Sequence, residues 1–200
     1  MEELDFDVIV VGGGPAGASA ARLAAKNGCT VALIEKEKEI AETVRTSGVT
    51  WISDIEKFGI PNECYNPIKK FSFCSPNNSV TISDEIAKAA VLDVRKTYRF
   101  LANRAKKEGA EIFVSTNVLD VLKNSNEECI GVITKSNEKQ IRFNGKMIID
   151  ASGFGSVIAK ELGHVKQWKK FGVGAEFEVK TEKLEYDNWW LMVGQEYSPA

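Results

Sequence analysis

Three glycines in the stretch VVGGGPAGASAA, Gly12, Gly14 and Gly17, have the spacing Gly-x-Gly-x-x-Gly. Between a strand and a helix, the first glycine makes the tight turn, the second lets a pyrophosphate approach the backbone, and the third lets the helix lie close to the strand. Unbonded amides at the helix N-terminus and the helix dipole then hold the negative charge. Pro15 suits the first helical turn, which needs no amide donor there. Glu35 follows Gly17 by eighteen residues, where a carboxylate can accept both hydroxyls of an adenosine ribose. A glycine turn by itself signals only flexibility, so a dinucleotide is implied only if the surrounding elements agree.

They agree over the first 35 residues. FDVIVVG, residues 6–12, is a β-branched run of the kind buried on both faces of a parallel sheet. Residues 14–26 are rich in alanine and predict a helix stopped by Asn27-Gly28. TVALIE, residues 30–35, predicts a second strand, which completes one βαβ crossover of about thirty residues. Beyond it the chain departs from an ordinary nicotinamide domain. The pattern predicts a loop, a short helix near 51–58, a β-hairpin over 71–83, and a helix over 93–107 followed by a strand at 111–115. Leu92, Val94, Tyr98, Leu101 and Ala105 form the core face of that second helix. CIGVITK and KQIRFNGKMIID read as strands of an antiparallel meander, with the parallel sheet rejoined at MIIDASG. FGVGAEFEVK alternates at period two, and DNWWLMVGQEYSPA is β-like in composition.

Composition excludes several function classes. The 200 residues are 44% hydrophobic and 27% charged with a formal net charge of −2, so a globular core is expected and there is no basic excess for nucleic acid. Cys29, Cys64, Cys74 and Cys129 include no Cys-x-x-Cys pair, which disfavours a metal site or disulfide framework and suits a reducing cytoplasm. The acidic start MEELDFD is unlike a signal peptide, and no apolar run approaches the roughly 18 residues of a membrane span. Any membrane contact is therefore expected to be peripheral. His164, the single histidine, is expected at the surface or as a cap. Ser47 and Ser152 have no evident histidine partner, which disfavours a hydrolase. Trp189 and Trp190 are adjacent on a strand and must face opposite ways, so at most one lines an apolar cavity. The run from Lys36 to Glu42 reads as a solvated face.

GGGPAG with TVALIEK, the helix VLDVRKTYRFLANRAKKEGAEI with its TNV exit, and IIDASGFGS together resemble the FAD domain of the glutathione-reductase-like flavoproteins. That group holds aromatic-ring monooxygenases, epoxidases, halogenases and isoprenoid reductases. Within it the chain is similar to the geranylgeranyl reductases, particularly the archaeal digeranylgeranylglycerophospholipid reductases, whose flavin-side loop EIAETVRTSGVTWI resembles. The resemblance implies an α/β fold: an FAD/NAD(P)-binding Rossmann-like domain of glutathione-reductase type, with an inserted antiparallel β-meander and the start of a β-sheet substrate domain. Residues 1–165 would form the FAD-binding domain, with a hairpin at 68–84 belonging to the substrate domain. Residues 166–200 would begin the substrate sheet.

Carried over position by position, the resemblance implies FAD contacts at Gly12, Gly14, Ala16, Gly17 and Glu35. It also implies them at Thr46, Ser47 and Gly48 beside the flavin, at Arg95, at the backbone of Val118 near the adenine, and over Asp150 to Gly153. Relatives often place a cysteine where Thr46 and Ser47 stand, and a hydroxyl does no thiol chemistry. The family continues with a Gly-Tyr-x-Trp-x-Phe-Pro wall and a Gly-Asp segment that do not precede EYSPA, so a truncated chain is expected. The implied activity is FAD-dependent reduction of C=C bonds in the geranylgeranyl chains of ether lipids, at the cytoplasmic membrane face. The implied partners are an isoprenoid lipid substrate and an electron donor, ferredoxin or NAD(P)H. No catalytic residue is identifiable. An FAD monooxygenase or epoxidase of the same fold and a non-catalytic dinucleotide-binding fragment are the alternatives.

Overall fold

The run FDVIVV lies inside a longer strand, β1 (Glu2–Val11), in the computed structural model, which describes residues 1–165, 172, 174, 175, 177 and 179–197. Next come α1 (Pro15–Lys26), β2 (Val31–Ile34), β3 (Val49–Trp51), α2 (Ile52–Phe58), β4 (Tyr65–Ile68), β5 (Lys70–Cys74), β6 (Ser79–Ser83) and β7 (Ala89–Leu92). The chain continues through α3 (Val94–Lys107), β8 (Glu111–Phe113), β9 (Thr116–Lys123), β10 (Cys129–Ser136), β11 (Lys139–Asp150), α4 (Val157–Glu161) and β12 (Asn188–Met192). The described residues divide into two compact units, Met1–Val44 with Tyr98–Val173, and Arg45–Thr97 with Gly174–Ala200. Residues 45–97 close their own ladders, β3 with β7 and β4 with β7, while β5 pairs with β12 from the end of the chain.

The first unit is built on a six-stranded sheet in the order β8-β2-β1-β11-β10-β9. Alternation along β1 decides its layers, because successive side chains point to opposite faces. Val8 and Val10, with Val31 and Leu33 of β2, pack under Ala21 and Ala25 of α1 and Ala105 of α3. Ile9 and Val11, with Ala32 and Ile34, pack on the other side with Val121, Val132, Phe143 and Ile158. Phe143 is fully buried, with its ring edge-on to Phe113 at 4.9 Å and stacked on Phe6 at 6.2 Å. Both faces of β1 are buried, as its apolar run predicts.

The return to the parallel sheet comes earlier than expected. β11 pairs in parallel with β1 from Glu2↔Ile141 to Val11↔Asp150, while Lys139 to Asn144 also pair antiparallel with β10. One twelve-residue strand therefore belongs to the meander and to the parallel sheet at once. A β-bulge falls at Leu119, between the pairs Asp120↔Ile133 and Val118↔Thr134.

Midway along β1, Asp7 joins three segments. Its Oδ1 accepts from Lys146 Nζ at 2.7 Å, and its Oδ2 accepts the N–H and hydroxyl of Thr30, each at 2.9 Å. The Lys146 hydrogen bond, then those from Thr30, lower the carboxyl from 3.8 to about 2. A carboxylate depressed on folding stabilises fully above its unfolded pKa, and that contribution fades as pH falls toward the folded value. The urea midpoint is accordingly expected to fall as pH drops from 3.8 toward about 2, and Asp7→Asn to flatten the profile in that window. An unchanged profile would contradict the clamp.

The second unit holds two three-stranded sheets, β3-β7-β4 and β12-β5-β6. The hairpin expected at 71–83 is β5 and β6. The strands at 49–51, 65–68 and 89–92 were not foreseen, since each is only three or four residues long and carries little periodicity. Of the strand expected in FGVGAEFEVK, Phe171, Val173, Glu176 and Glu178 lie outside the described residues, and the described ones are not in a strand.

Candidate functional site

The carboxyl ends of the parallel strands converge on the glycine turn. Gly12 donates its N–H to Ile34 O at 2.8 Å, and Ala151 donates to Val11 O at 2.8 Å. Gly12 has φ +110°, and a Cβ there would stand 2.3 Å from Ala151 O. A Cβ on Gly17 would stand 1.9 Å from Gly12 O, so helix and turn are in backbone contact. At Gly14 the situation reverses, because an added Cβ meets nothing within 4 Å. Gly14 is the N-cap of α1 and makes no side-chain capping bond, and Ala16 is exposed in the first turn. The helix therefore presents uncapped amides to open space, the arrangement that binds anions.

Glu35, at the end of β2, closes one side of this turn. Its Oε2 accepts the Gly13 N–H at 2.8 Å and its Oε1 accepts the Glu37 N–H at 2.9 Å. A carboxylate has about four acceptor positions, so both oxygens retain capacity for ribose hydroxyls. The start of β9 is drawn here by Thr116 N–H donating to Glu35 O and Ser115 N–H donating to Glu37 O, and half-buried Val118 follows two residues on.

Two features of this region escaped the sequence reading. Gly13 is packed tightly, its added Cβ falling 2.4 Å from Ile40 Cδ1 and 3.0 Å from Glu35 Oε2. The unbroken run of three glycines was the available signal. The solvated face expected over Lys36 to Glu42 is also corrected. Ile40 is 7% exposed and packs with Ala18, Leu101 and Ala102. The isolated isoleucine within a charged run was the clue, because only the charged residues around it need water.

The segment after β11 does a different job with its side chains. Asp150 Oδ1 accepts the N–H and hydroxyl of Ser152, and Oδ2 accepts the N–H groups of Ile158 and Ala159 at 3.0 and 2.9 Å. Ser152 Oγ in turn accepts the Val157 N–H at 2.8 Å. Burial pushes the Asp150 carboxyl upward, but the hydrogen bonds from Ser152, Ala159 and Ile158 outweigh it and hold it below the usual range. Its carboxylate is committed to the N-terminus of α4, leaving the backbone between Asp150 and Gly153, where φ is +67°, as the part that can face a dinucleotide. Asp150→Ala is expected to cost about 2 kcal/mol, as loss of a helix cap does. Urea unfolding would check it, and a cost near zero would remove the capping role.

The remaining candidates belong to the second unit. Thr46 and Ser47 are exposed, while Gly48 is buried at φ +74° and donates its N–H to Thr46 Oγ1 at 3.4 Å. Arg95 is exposed in the first turn of α3. On the β12-β5-β6 sheet, the register puts Phe71, Phe73, Val80, Ile82, Trp189 and Leu191 on one face. Trp189 packs edge-on to Phe71 and Phe73, with centroids 6.0 and 6.2 Å apart, while Val80 and Ile82 are exposed. The opposite face carries Trp190 and a polar row, Ser72 with Thr81 and Asn188. The two tryptophans thus face opposite ways. His164, in the first unit, is exposed just past α4.

Comparison with known proteins accords with this geometry. The family pattern of FAD dependent oxidoreductases matches residues 7–163. A digeranylgeranylglycerophospholipid reductase of Methanocaldococcus jannaschii is 33% identical over the whole of this chain and 52% of its own length. An uncharacterised protein from the nifH2 5′ region of Methanosarcina barkeri is 33% identical over 82% of this chain and 90% of its own length. Among solved structures, a geranylgeranyl bacteriochlorophyll reductase-like protein of Thermoplasma acidophilum superposes with a TM-score of 0.79 at 26% identity, covering 96% of this chain and 51% of that one. The chain spans about half the length of the curated reductases it matches. The fold is an FAD-binding Rossmann-like domain with the meander expected of it.

FAD fits the residues present: open space at Gly14 for the pyrophosphate, uncapped amides beside it, and a carboxylate with spare acceptor positions for the ribose. With a matching pattern over most of its length and a cradle of the required shape, the chain belongs to the FAD dependent oxidoreductase family.

Proposed function

We propose that this chain is the dinucleotide-holding part of an FAD-dependent enzyme that reduces the C=C bonds of geranylgeranyl chains in isoprenoid ether lipids. The observation that carries this reading is similarity over the entire chain to a reductase named for that substrate, at a site whose shape suits the cofactor. In this reading, the amides around Gly14 and Ala16 bind the pyrophosphate, Glu35 accepts the ribose hydroxyls, and the Val118 backbone lies at the adenine. Thr46, Ser47, Gly48 and Arg95 serve the flavin side. The apolar face of Phe71, Phe73, Val80, Ile82, Trp189 and Leu191 supports an apolar substrate, since such a surface sheds water from a hydrocarbon chain. Bound flavin supplies hydride-transfer chemistry, and the protein supplies orientation and a water-poor surround.

Ferredoxin or NAD(P)H as electron donor, and peripheral contact with the cytoplasmic membrane face, belong to the same proposal. The test is an anaerobic assay of the purified protein containing this chain, with FAD, dithionite and a digeranylgeranyl glycerophospholipid. Mass spectrometry is expected to show two hydrogens gained per bond reduced. Unchanged lipid with flavin bound overturns the substrate assignment. In a parallel aerobic assay with NAD(P)H as reductant, oxygen uptake with an oxygenated product would make the protein a monooxygenase.

A further inference from the structure

Arg99, on α3, reaches across 59 residues of sequence to the segment that follows Glu35. Its Nε donates to the Ile40 carbonyl at 3.2 Å, and its Nη2 donates to Glu39 Oε1 at 2.6 Å. Ile40 fills the space between Ala18 of α1 and Leu101 and Ala102 of α3, and its Cδ1 is the atom that an added Cβ on Gly13 would strike. Gly13 is therefore bounded by Ile40 and by Glu35, whose carboxylate accepts its N–H. Ala41, next to the pinned carbonyl, has φ +58°, a backbone conformation that alanine does not adopt without support. The segment also has local bonds, Lys38 N–H to Glu42 and Thr43 N–H to Glu37, and one from the residue before β9, Ser115 N–H to the Glu37 carbonyl. Arg99 thus ties α3 to this segment by two side-chain hydrogen bonds.

We infer that Arg99 is a positioning residue for the dinucleotide cradle: by holding the Ile40 carbonyl it fixes Ile40 against Gly13, and so sets the shape of the turn before any ligand arrives. The inference rests on the reading of the glycine turn as an FAD cradle. Loss of the guanidinium removes this hold of α3 on the Ile40 carbonyl, so the turn opens more often. A ligand must then order it on binding, which weakens affinity.

The test compares wild type, Arg99→Ala, Arg99→Lys and Lys146→Ala in two measurements. Lys146→Ala breaks the Asp7 clamp, which lies outside the glycine turn, and serves as a stability control. Hydrogen exchange without ligand is expected to quicken at residues 12–14 and 36–44 in Arg99→Ala and to stay at the wild-type rate there in Lys146→Ala. FAD titration is expected to show affinity lowered about tenfold or more in Arg99→Ala, partly recovered in Arg99→Lys and unchanged in Lys146→Ala. Unaltered exchange at residues 12–14 in Arg99→Ala overturns the inference whether or not FAD binds. So does an equal affinity loss in Lys146→Ala, which would show a general effect of stability. If wild type binds no FAD while the exchange difference persists, the cofactor reading fails and the positioning role stands.

Discussion

Gly17→Ala is expected to abolish flavin binding and to destabilise the first unit by about 3 kcal/mol, at the upper end of ordinary overpacking. The new methyl would lie 1.9 Å from Gly12 O, and both partners are backbone, so neither can rotate away. Relief requires α1 to move off β1, which opens the packing of Ala21 and Ala25 on Val8 and Val10. Gly14→Ala provides the contrast. Its φ of −69° suits alanine, and the methyl meets nothing within 4 Å. The fold should lose no more than about 1 kcal/mol, the difference between glycine and alanine at an N-cap. Affinity for FAD should nevertheless fall roughly tenfold or more, because the methyl occupies the space through which a pyrophosphate approaches the amides. Urea midpoints and flavin-fluorescence titrations on the two variants separate the effects. Equal destabilisation by both would contradict the steric assignment, and undiminished binding by Gly14→Ala would move the pyrophosphate elsewhere.

The largest loss of stability alone is expected from Phe143→Ala, about 4 kcal/mol, within the range for a fully buried aromatic. Phe143 has no exposed surface and lies against Phe6 and Phe113, so truncation leaves a cavity under two further rings. A domain typically has about 5–15 kcal/mol in all, so this one change takes a large share. The same cluster includes Val11 and Ile34, whose strands end at Gly12 and Glu35, and the cavity therefore loosens the base of the cradle. A ligand that binds only the folded state offsets part of the loss, about 2.7 kcal/mol at a concentration 100 times its Kd. The urea midpoint of Phe143→Ala should thus rise on adding FAD. A loss below about 1 kcal/mol would show that the three rings repack, contrary to the close packing expected of a protein interior.

The cradle is the part of this protein most legible in its sequence, because its determinants are local. A β-branched run, three spaced glycines, a proline and an alanine-rich segment act through backbone conformation and side-chain size within a few residues of one another. The opposite facing of Trp189 and Trp190 follows from the same short-range geometry. Glu35 was legible as an acid at a strand end. Its hydrogen bond to Gly13 was not, since that depends on β1 and β2 lying side by side in register.

Pairing between distant segments could not be read in this way. Residues 45–97 share a unit with Gly174–Ala200 because β12 lies parallel to β5, across more than a hundred residues of chain. β11 joins two ladders at once, Asp150 turns its carboxylate to α4, and Arg99 holds Ile40 in a run that looks wholly solvated. Each of these is a hydrogen bond whose donor and acceptor meet only after the sheet and helices have packed. The sequence alone determined the dinucleotide turn, its acid and the α/β class, since these rest on local periodicity and on where glycine is sterically required. Only the tertiary structure decided how the chain divides and what braces the turn, since those rest on the long-range register of strands and the docking of helices.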